Sequence, residues 1–313
     1  MLQNELIQLQ LEELECMENC DLDSLLEDLA ENQKKIKSSK ELYYDQKQDE
    51  VWIEHYYCNI TMNEVEPKKI IRQFQKLITK THKYKHPYYI SKNNLYTWVD
   101  LQPNGELKGI YSGEKKVPIQ AIEEDFETIQ KRFRNYRELK LYNQSGNKEM
   151  VEEVMNVARQ HRFNTEHVVP QSWFNAGEPM KGDLHHLFVC EPHCNSARSN
   201  FPYFDFRVRS ESPKKFSSYC GTYETGHFEP KYGKGAVARA TLYFLLRYPG
   251  KIKKSYQKKL NISLLKQWHD EFSVDIYEKH RNQAIFEIQG NRNPFIDFPE
   301  LINKISLDIE YFW

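Results

Sequence analysis

Between Asn164 and Asn200 the chain reads NTEHVVPQSWFNAGEPMKGDLHHLFVCEPHCNSARSN. These 37 residues set Glu166 beside His167, Asp183 before His185 and His186, and Asn195 before Arg198 and Asn200. A neutral imidazole takes up a proton near physiological pH. Carboxylate and amide oxygens suit Mg2+, which keeps several waters and needs few protein ligands. A proton acceptor next to a hard-metal carboxylate, with a second oxygen ligand downstream, is the set that metal-assisted phosphodiester hydrolysis uses.

Something must position these groups. Phe163 to Val169 has β-character and is bounded by Pro170. Glu166 and His167 are neighbours, so on a regular strand they face opposite sides. Both can serve one site only where the strand ends or twists, and Val-Val-Pro-Gln-Ser supplies such an ending. Cys190 to Asn200 reads as a short helix stopping before Pro202, on which Asn195 and Arg198 share a face. The local order is strand, loop, helix. Duller roles compete at each position: a core histidine at 167, a strand-end charge at Glu166, a helix cap at Asn195. At least one of His185 and His186, with Asp183, is expected to orient the finger or the base. Arg198 and Arg239 either clamp phosphate bidentately or form buried ion pairs. Asn200 more simply satisfies a tight turn.

The segments EHVVP (166–170), DLHHL (183–187), NSARSN (195–200), GKGAVARATLYFL (233–245) and QGNRNPFID (289–297) occur in one order. In these the chain resembles the bacterial endonuclease I family of non-specific nucleases, within the ββα-metal (His-Me finger) superfamily. The likeness covers about half the chain, residues 164–300. It implies an α+β fold: a mostly helical body around a small sheet carrying a ββα-metal finger at 160–201. It also implies cleavage of DNA and RNA with little sequence preference, leaving 5′-phosphate ends. Glu166 and Asn195 would hold Mg2+, with Mn2+ or Ca2+ able to substitute, and His167 would be the general base. Well-known members carry a phosphate-neutralising arginine between EHVVP and the Asp-x-His motif. Here that loop is short and its one base is Lys181, a point charge without the arginine fork.

The remaining sequence frames this finger. The expected division is an acidic helical extension over 1–40, the first part of the nuclease body over 41–150, and the catalytic domain over 151–313. Residues 1–33 hold ten acids and no base, residues 1–50 carry a net charge of −9, and the remainder carries +8. A basic body suits a polyanionic partner. The leucine spacing over 2–33 predicts one or two helices divided near Asp21, either packed on the body or acting as a detachable arm that binds the basic body or a protein partner. Lys34–Lys40 reads as a polar link. Helices are expected from Pro67, over 117–137, around 148–160 and 235–248, and at 261–272 and 274–289, the last stopped by Gly290. LYTWVDL (95–101) and ELKGIYS (106–112) read as a hairpin about Pro103-Asn104-Gly105.

With 28% charged and 13% aromatic residues the chain is no disordered tail. No run of apolar residues is long enough to span a bilayer, so no membrane partner is expected. The first residues lack an export signal, and a cytoplasmic protein is the expectation, extracellular if a leader is missing. Of six cysteines, the default is free half-buried thiols; a disulfide from Cys220 to Cys190 or Cys194 is the other option, and structural Zn2+ is not expected. The alternative to a nuclease is a catalytically inactive nucleic-acid-binding protein.

Overall fold

The computed structural model describes residues 2–18, 21–64, 66–142, 156–157, 163–206 and 216–305. Its helices begin where the sequence supplies caps. Helix α1 (Leu2–Glu18) is followed by α2 (Leu22–Ser38), which Asp21 caps by accepting from Asp23 N. Helix α2 runs on through most of the expected polar link, because Ile36 is buried and keeps the helical stripe. After α3 (Lys40–Tyr43) and α4 (Gln46–Tyr56) comes α5 (Pro67–Thr81), with proline in its first turn.

The expected 95–101 strand is a helix instead. Helix α6 (Tyr88–Asn94) continues into a π-helical turn over Leu95–Val99. Leu95, Tyr96, Thr97 and Val99 are all buried there, so tertiary burial overrides their β-propensity. The hairpin forms further along, β1 (Leu107–Lys108) pairing with β2 (Lys115–Lys116). Helix α7 (Pro118–Tyr142) then spans one side of the molecule. Most of the helix expected around 148–160 lies outside the described residues.

The finger consists of β3 (Thr165–His167), β4 (Leu187–Val189) and α8 (Pro192–Arg198). The strands pair antiparallel, His167 opposite Leu187. Strand β4 alternates between two cores: Leu187 and Val189 join the cluster under α2, α6 and α7, while Phe188 joins the one around α5 and residues 237–246. Each such buried aliphatic or aromatic side chain contributes about 1.5–3 kcal/mol. A three-stranded antiparallel sheet follows, β5 (Phe216–Ser218), β6 (Gly221–Glu224) and β7 (His227–Pro230), which the sequence did not announce. Helix α9 (Lys234–Arg247) is buried nearly all round and packs on α10 (Ile262–Glu271). Helix α11 (Ile276–Gln289) ends at Gly290, whose φ is 89° and where a Cβ would lie 2.6 Å from Thr81 O. Among the described residues no helix is long and apolar enough to cross a membrane.

Both ends of the finger are tied to the body. Asp125 of α7 accepts from Asn164 N at 2.9 Å and from Tyr96 Oη at 2.7 Å, and pairs with buried Lys92 at 3.0 Å. Arg281 of α11 donates to the carbonyls of Leu184 and Leu187 and pairs with Asp100, which in turn accepts from Val189 N.

Candidate active site

A cavity of about 430 Å³ gathers residues from several elements. Glu166, His167, Asn195, Asn200 and Lys181 line it, joined by Tyr88, Arg132 and residues of α1. Strand β3 ends at His167, and the turn through Pro170 into a single 3-10 turn (Gln171–Trp173) lets adjacent Glu166 and His167 serve one space.

His167 is held at both ring nitrogens. Nε2 lies 2.9 Å from the Lys181 carbonyl, which can only accept, so Nε2 carries the proton. Nδ1 is thereby the acceptor nitrogen, and Gln171 Nε2 donates to it at 3.1 Å. Burial, reinforced by the nearby His186 ring, holds the His167 imidazole well below its usual range, so it stays neutral. Tyr111 Oη donates to Glu166 Oε1 at 2.8 Å; burial pushes the phenol well up, so it remains a donor. Asn195 Nδ2 donates to Thr165 O at 2.8 Å, which fixes the amide and makes Oδ1 its acceptor end. A carboxylate and an amide on one wall are hard oxygen donors that fit Mg2+ with a largely aqueous shell. Among the described residues no group of three or more His, Cys, Asp or Glu side chains could hold a metal, and a one-carboxylate site is not of that kind.

Of the two roles open to Arg198 and Arg239, the phosphate clamp is not the one seen: neither side chain lines the cavity. Arg198 is fully buried behind Glu166: Nη2 donates to Val168 O at 2.8 Å, Nη1 to Ser199 O at 3.2 Å, and Nε is 3.4 Å from Glu166 Oε1. Its guanidinium therefore orients the strand end and the carboxylate and does not reach the cavity. Arg239 forms a buried fork with Glu278, at 2.7 Å and 2.5 Å, and donates to Phe272 O. That is an ion pair of the body, remote from His167.

Asp183, His185 and His186 also sit outside the cavity lining. Asp183 accepts from Tyr243, Tyr248 and Gln289. Burial alone would raise its carboxyl, but His82, His185, His186 and Gln289 outweigh it and hold the group well below the usual range. His185 is pushed down to about 4 by burial and contacts Asn291 O. His186 bonds Met180 O at 2.5 Å and meets the His167 ring edge-on, centroids 5.6 Å apart, which braces the loop carrying Lys181. Asn200 Nδ2 reaches Tyr256 Oη at 3.3 Å, and its carbonyl accepts from Trp173.

Sequence reasoning missed Tyr111, Gln171 and Arg132. Gln171 sits four residues after His167, a spacing that could have flagged it; nothing local marks one tyrosine among twenty.

Cys194 of α8 is disulfide-bonded to Cys220 beside β6, 26 residues on, which corrects the expectation of free thiols. The two thiols are fully buried and face each other across the finger and the sheet, a contact that spacing alone does not fix. Removing the bridge by Cys194→Ser with Cys220→Ser is expected to cost about 2–4 kcal/mol. A lowered urea midpoint, matched by wild type under reductant, checks this; an unchanged midpoint contradicts it.

A helical body, a ββα finger and a cavity holding a neutral histidine beside hard oxygen donors define a nuclease fold of the His-Me type. The family model described as Endonuclease I matches residues 68–300, and the chain belongs to that family, a family of metal-dependent nucleases. An extracellular ribonuclease of Bacillus amyloliquefaciens is 37% identical over 161 residues, covering 46% of this chain and 53% of that protein. An extracellular deoxyribonuclease of Aeromonas hydrophila is 29% identical over 159 residues, covering 44% and 66%. A periplasmic deoxyribonuclease of the same organism is 28% identical over 159 residues, covering 44% and 65%. The chain thus spans between about half and two thirds of the length of these relatives. Their extracellular and periplasmic compartments overturn the expectation of a cytoplasmic protein, and a disulfide belongs to oxidising compartments.

Proposed function

We propose that the chain is a metal-dependent endonuclease, acting outside the cytoplasm, that hydrolyses DNA and RNA with little sequence preference and leaves 5′-phosphate ends. The observation that carries this reading is the His167 ring, with Nε2 tied to a carbonyl and Nδ1 turned to accept in a cavity shared with Glu166 and Asn195. Relatives named as ribonucleases and deoxyribonucleases support both substrates.

In this account a water that takes the place of Gln171 on Nδ1 gives up its proton there as it attacks phosphorus. The Lys181 carbonyl holds the ring in the right tautomer and steadies the imidazolium that forms. Glu166 and Asn195 Oδ1 would hold Mg2+, or Mn2+ or Ca2+ in its place, while Tyr111 and Arg198 keep the carboxylate aimed. The bound ion supplies charge stabilisation for the pentavalent phosphate and the leaving 3′ oxygen.

The chemistry of the ends tests it. Products of a long RNA are expected to accept label from a polynucleotide kinase only after phosphatase treatment. Ends bearing 2′,3′-cyclic phosphate would mean that the ribose hydroxyl attacks, and would contradict a water activated by His167.

A further inference from the structure

The same cavity has a second wall. Gln10, Glu13, Leu14 and Met17 of α1 line it together with Thr165, Glu166, His167 and Asn195. Helix α1 is laid there by a stripe of Ile7, Leu11, Leu14 and Met17, all buried, along α7. A further cleft of about 560 Å³ lies along the same helix pair, lined by Gln8, Leu11, Phe133 and Arg137. At the cavity, Glu13 Oε1 pairs with Lys181 Nζ, the residue whose carbonyl positions His167. Arg132 of α7 reaches the same space with its guanidinium 4.3 Å from the Phe163 ring centre.

Resting on the nuclease reading above, we propose that Lys181 and Arg132 form a seat for a backbone phosphate of the substrate strand, and that Glu13 occupies this seat in the closed form as a carboxylate stand-in.

Three things favour a seat over an incidental surface pair. Two cations from separate parts of the chain converge beside the base, where a polyanion must pass. The finger loop offers Lys181 alone, and Arg132 supplies from α7 the bidentate fork that a lysine lacks. The occupant belongs to a segment with ten acids and no base, which competes with nucleic acid by charge. Substrate entry then requires α1 to lift from α7, so the helix acts as a gate.

The test uses the full chain and two readouts: anisotropy of a labelled 12-nucleotide DNA strand in EDTA, and plasmid cleavage with Mg2+. Glu13→Gln keeps the shape of the side chain and removes its charge. It is expected to tighten strand binding and speed cleavage by roughly five- to tenfold at low ionic strength, the order of one net hydrogen bond. The gain should shrink at about 1 M salt, where the Debye length is near 3 Å. In the Glu13→Gln background, Arg132→Ala should weaken binding by roughly tenfold, with the unfolding midpoint held and Arg132→Lys restoring part of it. Unchanged or weaker binding in Glu13→Gln overturns the stand-in, and full binding in Arg132→Ala overturns the seat. Tighter binding with no cleavage by any variant supports the seat and counts against the nuclease reading instead.

Discussion

Replacing His167 with alanine is expected to reduce cleavage of both DNA and RNA by about 10²- to 10⁴-fold, the contribution of a positioned general base. The ring is the neutral acceptor in the cavity, and nothing else there combines neutrality with a held tautomer. Its loss also leaves the Lys181 carbonyl without its buried donor, at a cost of about 1–3 kcal/mol. Cleavage must therefore be read beside a melting curve, at a temperature where the variant is folded. Strand binding in EDTA should survive, because Lys181 and Arg132 remain. A folded His167→Ala protein that cleaves within a few-fold of wild type would remove His167 from the mechanism.

Arg239→Ala should act on stability, not on chemistry. The guanidinium is buried, forked onto Glu278 and bonded to Phe272 O, so removing it leaves an uncompensated carboxylate inside the body. Breaking such a pair from one side costs about 3–5 kcal/mol. Burial by itself raises the Glu278 carboxyl, while Arg239 pulls it down, so the orphaned acid is expected to take up a proton. The measurement is a urea titration of Arg239→Ala and Glu278→Ala. Both should unfold at markedly lower urea, and their cleavage rates below that point should be close to wild type. A stable Arg239→Ala protein with weakened strand binding would restore the phosphate-clamp reading.

Much of the helical body was legible because its signals are local. Asp21 caps α2, Pro67 opens α5, and Gly290 closes α11 at a positive φ. Leu95–Val99 was not, since a run of aromatic and β-branched residues buried on every side carries no period that separates strand from helix. The β5–β7 sheet was passed over for a related reason: its strands are three or four residues long with mixed burial.

At the site, adjacency and spacing brought Glu166, His167 and Asn195 to one cavity. Spacing could not say whether Arg198 points outward or inward; it shares a helix face with Asn195, yet that face packs on β3, and both side chains bond its carbonyls or those just after it. Tyr111 reaches Glu166, and Arg132 reaches the cavity, from segments 55 and 35 residues before Glu166 and His167, contacts that only the tertiary fold creates. The cysteines follow the same logic, because Cys194 of α8 meets Cys220, in the turn between β5 and β6, only in the folded chain.

Metal-dependent cleavage is tested most directly by one experiment: supercoiled plasmid and a long RNA incubated with the wild-type chain in Mg2+, beside the same reactions in EDTA. The expected result is nicking, linearisation and then degradation of the plasmid, and loss of the RNA, all abolished by chelation and restored by added Mg2+. Cleavage that persists at full rate in EDTA, after the protein has been stripped of metal, would contradict a site built on Glu166, Asn195 and a water activated by His167.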